Sequence, residues 1–453
     1  MSKRTFVLLS SLMAWLISGA VLGQSFDQAE LDMFRTLRRQ PNQLARYQYL
    51  NKVMPHLAPP DQVMAGQFLA FSLDELGLYN QAVLAFPLTS VPPEGMVVPD
   101  RDEWKSADAV DVITKLAADR RIVLINEAHH NAHTRTLTLA LLPRLRKLGF
   151  TYFAAEALGE NDPGLMQRGY PLKTSGTEYL EEPLYGDIVR EAIRLGFILV
   201  PYDSSEIDPQ ARDAAQAATL FQKVFAKDPK ARLFVHAGYA HIDKASGRLD
   251  STTPMAAQLK KLTGFDPLSI DQTQFLESRI DASDDYSLLI QRFPAQSSEV
   301  LVNRVTGRPW SALPQLYDVN VILPIGLNAK TFGDETWGQF GARATLKNAN
   351  DPSRIAAGSL TTLNEMPRPK WLTIDGQRRA FPISTELCRR SFPCAIDAHY
   401  LDERDDATAA DRYAFTTPYA SSKLYLRPGR YRLRAWNTAG RTLSEQVIRV
   451  STP

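Results

Sequence analysis

Cysteine is scarce in this sequence: its 453 residues include only Cys388 and Cys394. Two cysteines are too few for a thiolate-rich zinc site, so any metal would have to be held by imidazole and carboxylate groups. The two lie close together in a polar segment, which in an exported protein predicts one disulfide that closes a short loop. Two free thiols are the alternative.

An excess of charge of either sign is also missing. The formal net charge is +2, and two of the positive charges, Lys3 and Arg4, lie in a segment that we expect to be removed. A nearly neutral chain without basic runs in its sequence gives no electrostatic reason to expect nucleic acid as a partner.

A long apolar run stands at the N-terminus, from Phe6 to Leu22. Basic residues precede it, and small residues near its end, such as Ser18 and Ala20, suit a cleavage site. The pattern predicts a secretory signal peptide over residues 1–23, and therefore a periplasmic or secreted protein. A retained membrane anchor is the alternative, although the run is short for a helix that spans a bilayer.

The remaining chain divides by pattern into a helical segment, an α/β domain, a linker and a region of short strands. The helical segment contains Leu76 to Ala82, which is similar to the turn and second helix of a tetratricopeptide hairpin. One or two such repeats do not make an array, so we expect a cap on the main domain, with a separate peptide-binding module as the alternative. The predicted boundaries are 24–99 for the cap, 100–345 for the α/β domain, 346–369 for the linker and 370–453 for an immunoglobulin-like β-sandwich.

Strands and helices alternate through the α/β domain. The predicted strands are Ile122–Ile125, Phe150–Ala155, Phe197–Tyr202 and Arg232–Val235, with helices between them. Such alternation indicates right-handed βαβ units, and apolar strands indicate cover on both faces, so we predict a three-layer, mostly parallel sheet. Three further short strands are predicted as antiparallel additions at the edge: Leu288–Phe293, Val300–Arg304 and Val319–Ile325.

Histidines cluster where two of these strands end. Of seven histidines, five lie in two stretches, which contain His129, His130 and His133 in the first and His236 and His241 in the second. Glu127 lies in the first stretch, and Glu156 ends the strand between them along the chain. The carboxyl ends of parallel strands share one edge of a sheet, and ligands bind there in open α/β folds. The pattern therefore predicts a functional site at that edge.

The two stretches share a spacing in which Asn126 and Gly238 each precede a histidine by three positions. Both residue types favour sharp turns, so we expect each strand to turn its histidine over the sheet. His129 and His241 with Glu156 would suit a divalent metal such as zinc. Without metal, the same groups supply a general base and a carboxylate that orients it.

Two other functions follow from the same region. Tyr239 lies between His236 and His241, so a haem or metal complex with Tyr239 or His236 as axial ligand is an alternative. An inactive scaffold, in which the helical cap and the β-sandwich bind protein partners, is another.

The stretch from Leu124 to His130, Glu156, and the stretch from His236 to His241 together resemble the erythromycin-esterase-like and ChaN-like superfamily. This superfamily is linked more distantly with the Tiki/TraB membrane metalloproteases. The resemblance extends from about residue 110 to residue 276. Asn126 stands where the family has glycine, and Arg212 and Gln216 lie where members carry polar residues.

The resemblance implies one of three activities. Erythromycin-esterase-like members use histidine and glutamate to activate water against an ester, Tiki-like members are metal-dependent proteases, and ChaN-like members bind haem. By position in the motifs, Glu127 and His129 match the first motif of the family. Glu156 matches its acidic position, and His241 matches its second motif. We therefore predict an exported hydrolase of a small-molecule or peptide substrate. Its candidate catalytic residues are Glu127, His129, Glu156, His236 and His241.

Overall fold

The computed structural model describes residues 28–88, 96–278, 285–326 and 366–451. The predicted signal peptide, residues 1–23, and the predicted linker up to residue 365 lie outside these ranges. Within them, no helix is both long enough and apolar enough to cross a membrane.

The N-terminal part is helical, as its apolar spacing predicts. Asn42 caps the second helix by accepting a hydrogen bond from the Ala45 N–H group, and Pro59 and Pro60 open the third, where no intrahelical N–H bond is lost. The third helix and the fourth form a hairpin around Gly77, which has a φ of 73°. The helices are α1 Gln28–Arg39, α2 Gln43–Val53, α3 Pro59–Glu75 and α4 Tyr79–Ala85.

An eight-stranded sheet forms the centre of the molecule, in the order β1-β7-β8-β6-β2-β5-β3-β4. Strands β8, β6, β2, β5, β3 and β4 are parallel, and β7 runs antiparallel to β1 and β8. The strands are β1 Trp104–Asp108, β2 Ile122–Glu127, β3 Tyr152–Ala155, β4 Ile198–Val200, β5 Leu233–Gly238, β6 Leu268–Asp271, β7 Glu299–Asn303 and β8 Val319–Ile322. The predicted mostly parallel α/β sheet is confirmed.

Helices cover both faces of this sheet. Along β2, Val123 and Ile125 pack into one apolar cluster and Ile122 and Leu124 into another, because successive side chains of a strand point to opposite faces. The first cluster includes side chains of α6 and α8, and the second includes side chains of α9 and α10. The helices are α5 Ala109–Ala117, α6 His133–Lys147, α7 Leu165–Arg168, α8 Pro183–Arg194, α9 Pro209–Leu220, α10 Met255–Thr263 and α11 Asp285–Arg292.

The chain after α10 differs from the prediction in three ways. Leu288–Phe293 was expected to be a strand, but most of it lies in α11, where Leu289 is buried, and Phe293 is buried directly after the helix ends. Leu268–Asp271 is a strand in the middle of the sheet that was not predicted. It was hard to recognise because two of its four residues, Ser269 and Asp271, are polar. Val319–Ile322 pairs parallel with that strand, so it is not an antiparallel edge addition.

The C-terminal region contains two antiparallel sheets, one with the order β11-β10-β13-β14 and one formed by β12 and β9. This agrees with a β-sandwich-like region. The run beginning at Trp371, expected to be a strand, is instead a short 3₁₀ turn, Lys370–Thr373. A disulfide joins Cys388 to Cys394 at the start of β10. The strands are β9 Arg379–Ser384, β10 Cys394–Tyr400, β11 Asp411–Phe415, β12 Ser421–Leu426, β13 Gly429–Asn437 and β14 Thr442–Val450.

Buried polar contacts tie the three regions together. Asp187 of α8 accepts a hydrogen bond from Arg378 at 2.6 Å. Arg412 of β11 donates to the backbone carbonyl of Glu75 in α3 at 3.0 Å. The C-terminal region therefore packs against both the sheet domain and the helical cap.

Candidate active site

The pairing of three strands brings the two histidine stretches together. β2 and β5 are adjacent and parallel, with Glu127 opposite Gly238 and Ile125 opposite His236. β3 lies on the other side of β5, and the N–H group of Glu156 donates to the carbonyl of His236 at 3.1 Å. The ends of these strands therefore place Glu127, Glu156 and the second histidine stretch at one edge of the sheet.

Glu127 orients His129. Its Oε1 lies 2.9 Å from Nδ1 of His129, and its Oε2 accepts a hydrogen bond of 2.6 Å from Arg135. Burial alone would raise the pKa of Glu127, but Arg135 and then His236 outweigh it and hold this pKa well below its usual range. An ionised carboxylate accepts a hydrogen bond only, so Nδ1 of His129 carries the proton in this contact.

Glu156 is the centre of a second group. Its Oε2 accepts from the N–H group of Gly238 at 2.5 Å, and its Oε1 accepts from Arg212 at 2.9 Å. Nε2 of His241 lies 3.7 Å from the same Oε1. Burial opposes ionisation, but His241 and Arg212 lower the pKa of Glu156, so this carboxylate is also charged.

His241 is held by an acidic residue that the sequence pattern did not reveal. Asp213 of α9 lies 2.9 Å from its Nδ1 and also accepts from the N–H group of Met255 at 2.6 Å. Burial would lower the pKa of His241, but Asp213 and Glu156 raise it above its usual value. The site therefore favours a positively charged imidazole at this position.

His129 and His241 converge on Glu156. A β-carbon built on Gly238 would lie 2.6 Å from Nε2 of His129 and 3.1 Å from Oε2 of Glu156, so both atoms approach the same point. Gly238 has a φ of −76°, which any residue adopts. Its value here is the missing side chain, and the expectation of a glycine needed for a positive φ was wrong.

The turn itself is made by neighbouring residues. Tyr239 has the positive φ, 39°, and its carbonyl accepts a hydrogen bond of 2.8 Å from the side chain of Asn126. Asn126 belongs to β2 and also donates to Asp271 at 2.8 Å and to Thr273 at 2.9 Å. It therefore joins β2, β6 and the second histidine stretch as a hydrogen-bonding residue.

His236 lies next to Glu127 and is fully buried. Its Nδ1 is 2.9 Å from the hydroxyl of Thr138, and its Nε2 is 3.2 Å from Oε2 of Glu127. With both ring nitrogens placed against protein groups in this way, His236 supports Glu127 from within the fold.

His130 and His133 do not join the group. His130 stacks on Phe86 with 3.5 Å between ring centroids, and His133 stacks on Trp371 at 4.8 Å. Burial lowers the pKa of each to about 3, which keeps both rings neutral at ordinary pH. Their role in this arrangement is packing between the site, the helical cap and the C-terminal region.

Arg135 is the other residue that the sequence analysis missed. Fully buried in α6, it donates to Glu127, lies 2.8 Å from Oδ2 of Asp74 and 3.1 Å from Oε2 of Glu182. Thr134, Arg135 and Thr138 are all buried on this helix, and their spacing of one, three and four positions is the sequence signal of this polar face. Asp74 comes from the helical cap, and no local pattern connects it with the site.

Aromatic side chains cover the site. Tyr179 stacks on His129 at 4.4 Å between ring centroids, and Tyr239 meets the same ring edge-on at 5.1 Å. Phe71 of α3 approaches from the cap at 6.3 Å. His129 and His241 are consequently only 4% and 6% exposed, so most water is kept away from the charged groups.

The donor atoms do not fit a divalent metal as they are arranged. Among the described residues, no three His, Cys, Asp or Glu side chains are placed to hold an ion together. Both oxygens of Glu156 are engaged, one of them by the guanidinium of Arg212. A positive group already bound to that carboxylate opposes a second cation there.

Comparison with known proteins adds little. No family model matches the chain, and no curated protein matches it. A solved structure described as "Bacterial protein toxins" is 17% identical over 34% of this chain and 36% of its own length, with a TM-score of 0.26. The structure of the type III effector HopBA1 is 17% identical over 44% of this chain and 94% of its own, also with a TM-score of 0.26. Scores this low support no argument about function.

Proposed function

We propose that the protein is an exported hydrolase in which His129 acts as a general base toward water. The observation that carries this proposal is the hydrogen bond between Glu127 and His129, which faces Glu156 across Gly238 in a site closed by aromatic rings. We also propose that the chain belongs with the erythromycin-esterase-like and ChaN-like proteins, since the motif residues of that resemblance lie together. Export rests on residues 1–23, outside the described part of the chain.

The first step is removal of a proton from water. Because Nδ1 of His129 donates to Glu127, its Nε2 is the atom that accepts the proton as the water oxygen attacks a carbonyl carbon. Ionised Glu127 stabilises the imidazolium that forms, and Arg135 keeps Glu127 ionised. The proton then passes from His129 to the departing alcohol or amine, and the bond between carbonyl carbon and leaving group breaks.

His241 is suited to the other half of the chemistry. Its raised pKa favours the charged imidazole, and such a group stabilises negative charge that develops on the carbonyl oxygen. Asp213 holds it by Nδ1, which directs Nε2 toward the side of the site where Glu156 lies.

The proposal is tested by screening the purified full chain against ester and peptide substrates, with wild type beside His129→Gln and His130→Gln. The amide of glutamine is not a base at neutral pH, so His129→Gln should lower kcat/KM by about 10² to 10⁴. His130 is an equally buried neighbouring histidine without a catalytic role, so its variant is the matched control. No turnover on any substrate by wild type, or equal loss in both variants with equal stability, would overturn the proposal.

A metal-dependent form of the same reaction, with zinc or a similar ion held by His129, His241 and Glu156, stays a prediction. Elemental analysis of the protein from its native compartment tests it, together with turnover before and after a chelator. Stoichiometric zinc and an activity that the chelator removes would replace the metal-free proposal.

Haem binding is less well supported by the contacts. The hydroxyl of Tyr239 lies 3.3 Å from Nδ1 of His130, and the ring of His236 has no exposure. An axial ligand needs an open face for the macrocycle, which His236 lacks in this arrangement. A Soret shift on haem titration that disappears in Tyr239→Phe would favour haem binding over hydrolysis.

A further inference from the structure

A cleft lies at the edge of the sheet where the parallel strands begin. Arg121, directly before β2, and Phe265, shortly before β6, line it together with the turn that follows β7. Its volume is about 1000 Å³, at the upper end of the roughly 300–1,000 Å³ of pockets that take small organic molecules. β2 separates it from the candidate active site, so the two are roughly 20 Å apart.

Positive charge dominates the lining of this cleft. Its acidic residues are Asp119 and Asp266. Its basic residues are Lys105, Lys115, Arg120, Arg121 and Arg304. Four of them are spread over residues 105–121 and the fifth follows β7, so the sequence shows no continuous basic run and the nearly neutral composition gives no indication of them.

One of the two carboxylates, Asp266, is already paired with basic side chains. Asp266 lies 2.7 Å from Arg120 and 2.6 Å from Lys260. Burial opposes its ionisation, but Lys260 and Arg120 lower the pKa of Asp266 to about 2. The negative charge of Asp266 is therefore compensated by Arg120 and Lys260, and it does little to neutralise the other basic groups of the cleft.

Within the described residues, most of the other basic groups are not paired with a carboxylate. Arg121 donates to the carbonyls of Ala231 and Pro229, and Arg304 donates to those of Arg101 and Trp104. A carbonyl orients a guanidinium but does not neutralise it.

The two lysines are exposed, and in the described parts of the chain neither Lys105 nor Lys115 is within ion-pair distance of an acidic group. Burial and then Arg121 lower the pKa of Arg232, which lies behind the cleft.

The cleft also offers apolar surface. Phe265, Leu116 and Val112 form part of its wall, and the guanidinium of Arg121 lies 4.8 Å from the centre of the Phe265 ring. Val305, at 93% exposure, stands at the lip. A suitable ligand therefore has an apolar body next to its negative charge.

We propose that this cleft binds a small soluble molecule that carries a multiply charged oxyanion, such as a phosphate group. Lysine and arginine are the side chains that recognise phosphate oxygens, and here five of them line one cleft together with only two carboxylates, one of which is paired with Arg120 and Lys260. The site is separate from the proposed hydrolase centre and stands whether or not that centre is active.

The test is calorimetric titration of the full chain with inorganic tripolyphosphate at low salt. Wild type should bind, and added sodium chloride should weaken binding because salt screens exposed charges. The double variant Lys105→Glu/Lys115→Glu should raise Kd about tenfold or more, since two attractive charges become repulsive. Lys52→Glu/Lys227→Glu changes the net charge equally at exposed lysines outside the cleft and should alter Kd less than threefold.

Absence of binding by wild type at millimolar tripolyphosphate would overturn the proposal. So would equal weakening in both double variants, because binding would then follow net charge alone. Vesicles of phosphatidylglycerol, with phosphatidylcholine vesicles as the neutral comparison, form the second arm. Capture by the anionic vesicles without any tripolyphosphate binding would assign the cleft to a membrane surface and contradict a soluble ligand.

Discussion

Gly238 shows how a single missing side chain shapes the candidate site. Its α-carbon faces His129 and Glu156 together, and the space between those two side chains depends on the absence of a β-carbon. The same residue donates its N–H group to Glu156. The glycine thus allows His129 and Glu156 to approach each other, and its N–H group holds the Glu156 carboxylate in place by a hydrogen bond.

Gly238→Ala should abolish most of the proposed turnover. The new methyl group would lie 2.6 Å from Nε2 of His129, so the imidazole has to move, and overpacking of this kind costs about 1–3 kcal/mol of stability. Turnover and urea unfolding measure both effects. Gly164→Ala is the control, because its new methyl group would meet the mobile end of Arg168 far from the site. Full turnover in Gly238→Ala would show that the close approach is not needed.

Asp74 is a buried carboxyl group whose charge is only partly compensated by its arginine partner. It shares the single guanidinium of Arg135 with Glu127 and Glu182, and burial together with Glu182 raises the pKa of Asp74 to about 7 despite that arginine. Between the ordinary aspartate pKa and pH 7, Asp74 is therefore protonated in the folded chain and ionised in the unfolded chain.

Stability should consequently fall as pH rises from about 4 to about 7, by at most about 1.4 kcal/mol for each pH unit from this group. Asp74→Asn removes the titration and keeps the shape. We expect the stability advantage of wild type over Asp74→Asn, measured by urea unfolding, to be smaller at pH 7.5 than at pH 5. A difference that is the same at both values would contradict the raised pKa.

The hairpin of α3 and α4 is the element that connects the helical cap with the strands of the C-terminal region. Its turn residue, Gly77, has a φ of 73°, and a β-carbon there would lie 2.0 Å from the carbonyl oxygen of Arg412 in β11. The guanidinium of Arg412 is fully paired with Asp397 at 2.7 Å. Backbone, rather than a flexible side chain, therefore sets the distance between the hairpin and the strand.

Gly77→Ala should destabilise the protein by about 3 kcal/mol, since it adds a backbone clash to the strain of a left-handed conformation. Gly376→Ala is a matched control: Gly376 also has a positive φ, 82°, but nothing lies within 4 Å of its new methyl group. That variant should lose only about 1–2 kcal/mol. Equal losses in urea unfolding would mean that the hairpin can move away from β11 without cost.

The whole molecule is held together by charged groups buried between its regions. The pair of Arg378 and Asp187 joins the residue directly before β9 to α8, and the pair of Arg190 and Glu403 joins the same helix to the loop after β10, each at 2.6 Å. Removing one member of a buried pair leaves the other charge without a partner, which costs about 3–5 kcal/mol. The regions should therefore depend on one another for stability.

We expect scanning calorimetry of the full chain to show one unfolding transition, with a calorimetric enthalpy close to the van't Hoff enthalpy. Two resolved transitions would show that the C-terminal region unfolds alone. In that case the contacts through Arg378 and Arg190 would contribute little to stability.

The alternation of apolar strands with helices determined the central sheet, and the histidines and glutamates at strand ends pointed to its carboxyl edge. These are local signals, because a strand or a helix shows its period within ten or so residues. Leu268–Asp271 is only four residues long, and its alternation of apolar and polar residues differs from the near-continuous apolar runs by which the other strands of the parallel sheet were recognised.

Tertiary structure alone decided which side chains meet. Asp74 reaches Arg135 from 61 residues away, and Asp213 reaches His241 from 28. The basic cleft likewise joins Arg304 to the basic residues of segment 105–121. Pairings of this kind depend on how the elements pack, and packing is settled by the burial of apolar surface over the whole molecule rather than by the neighbours of any one residue.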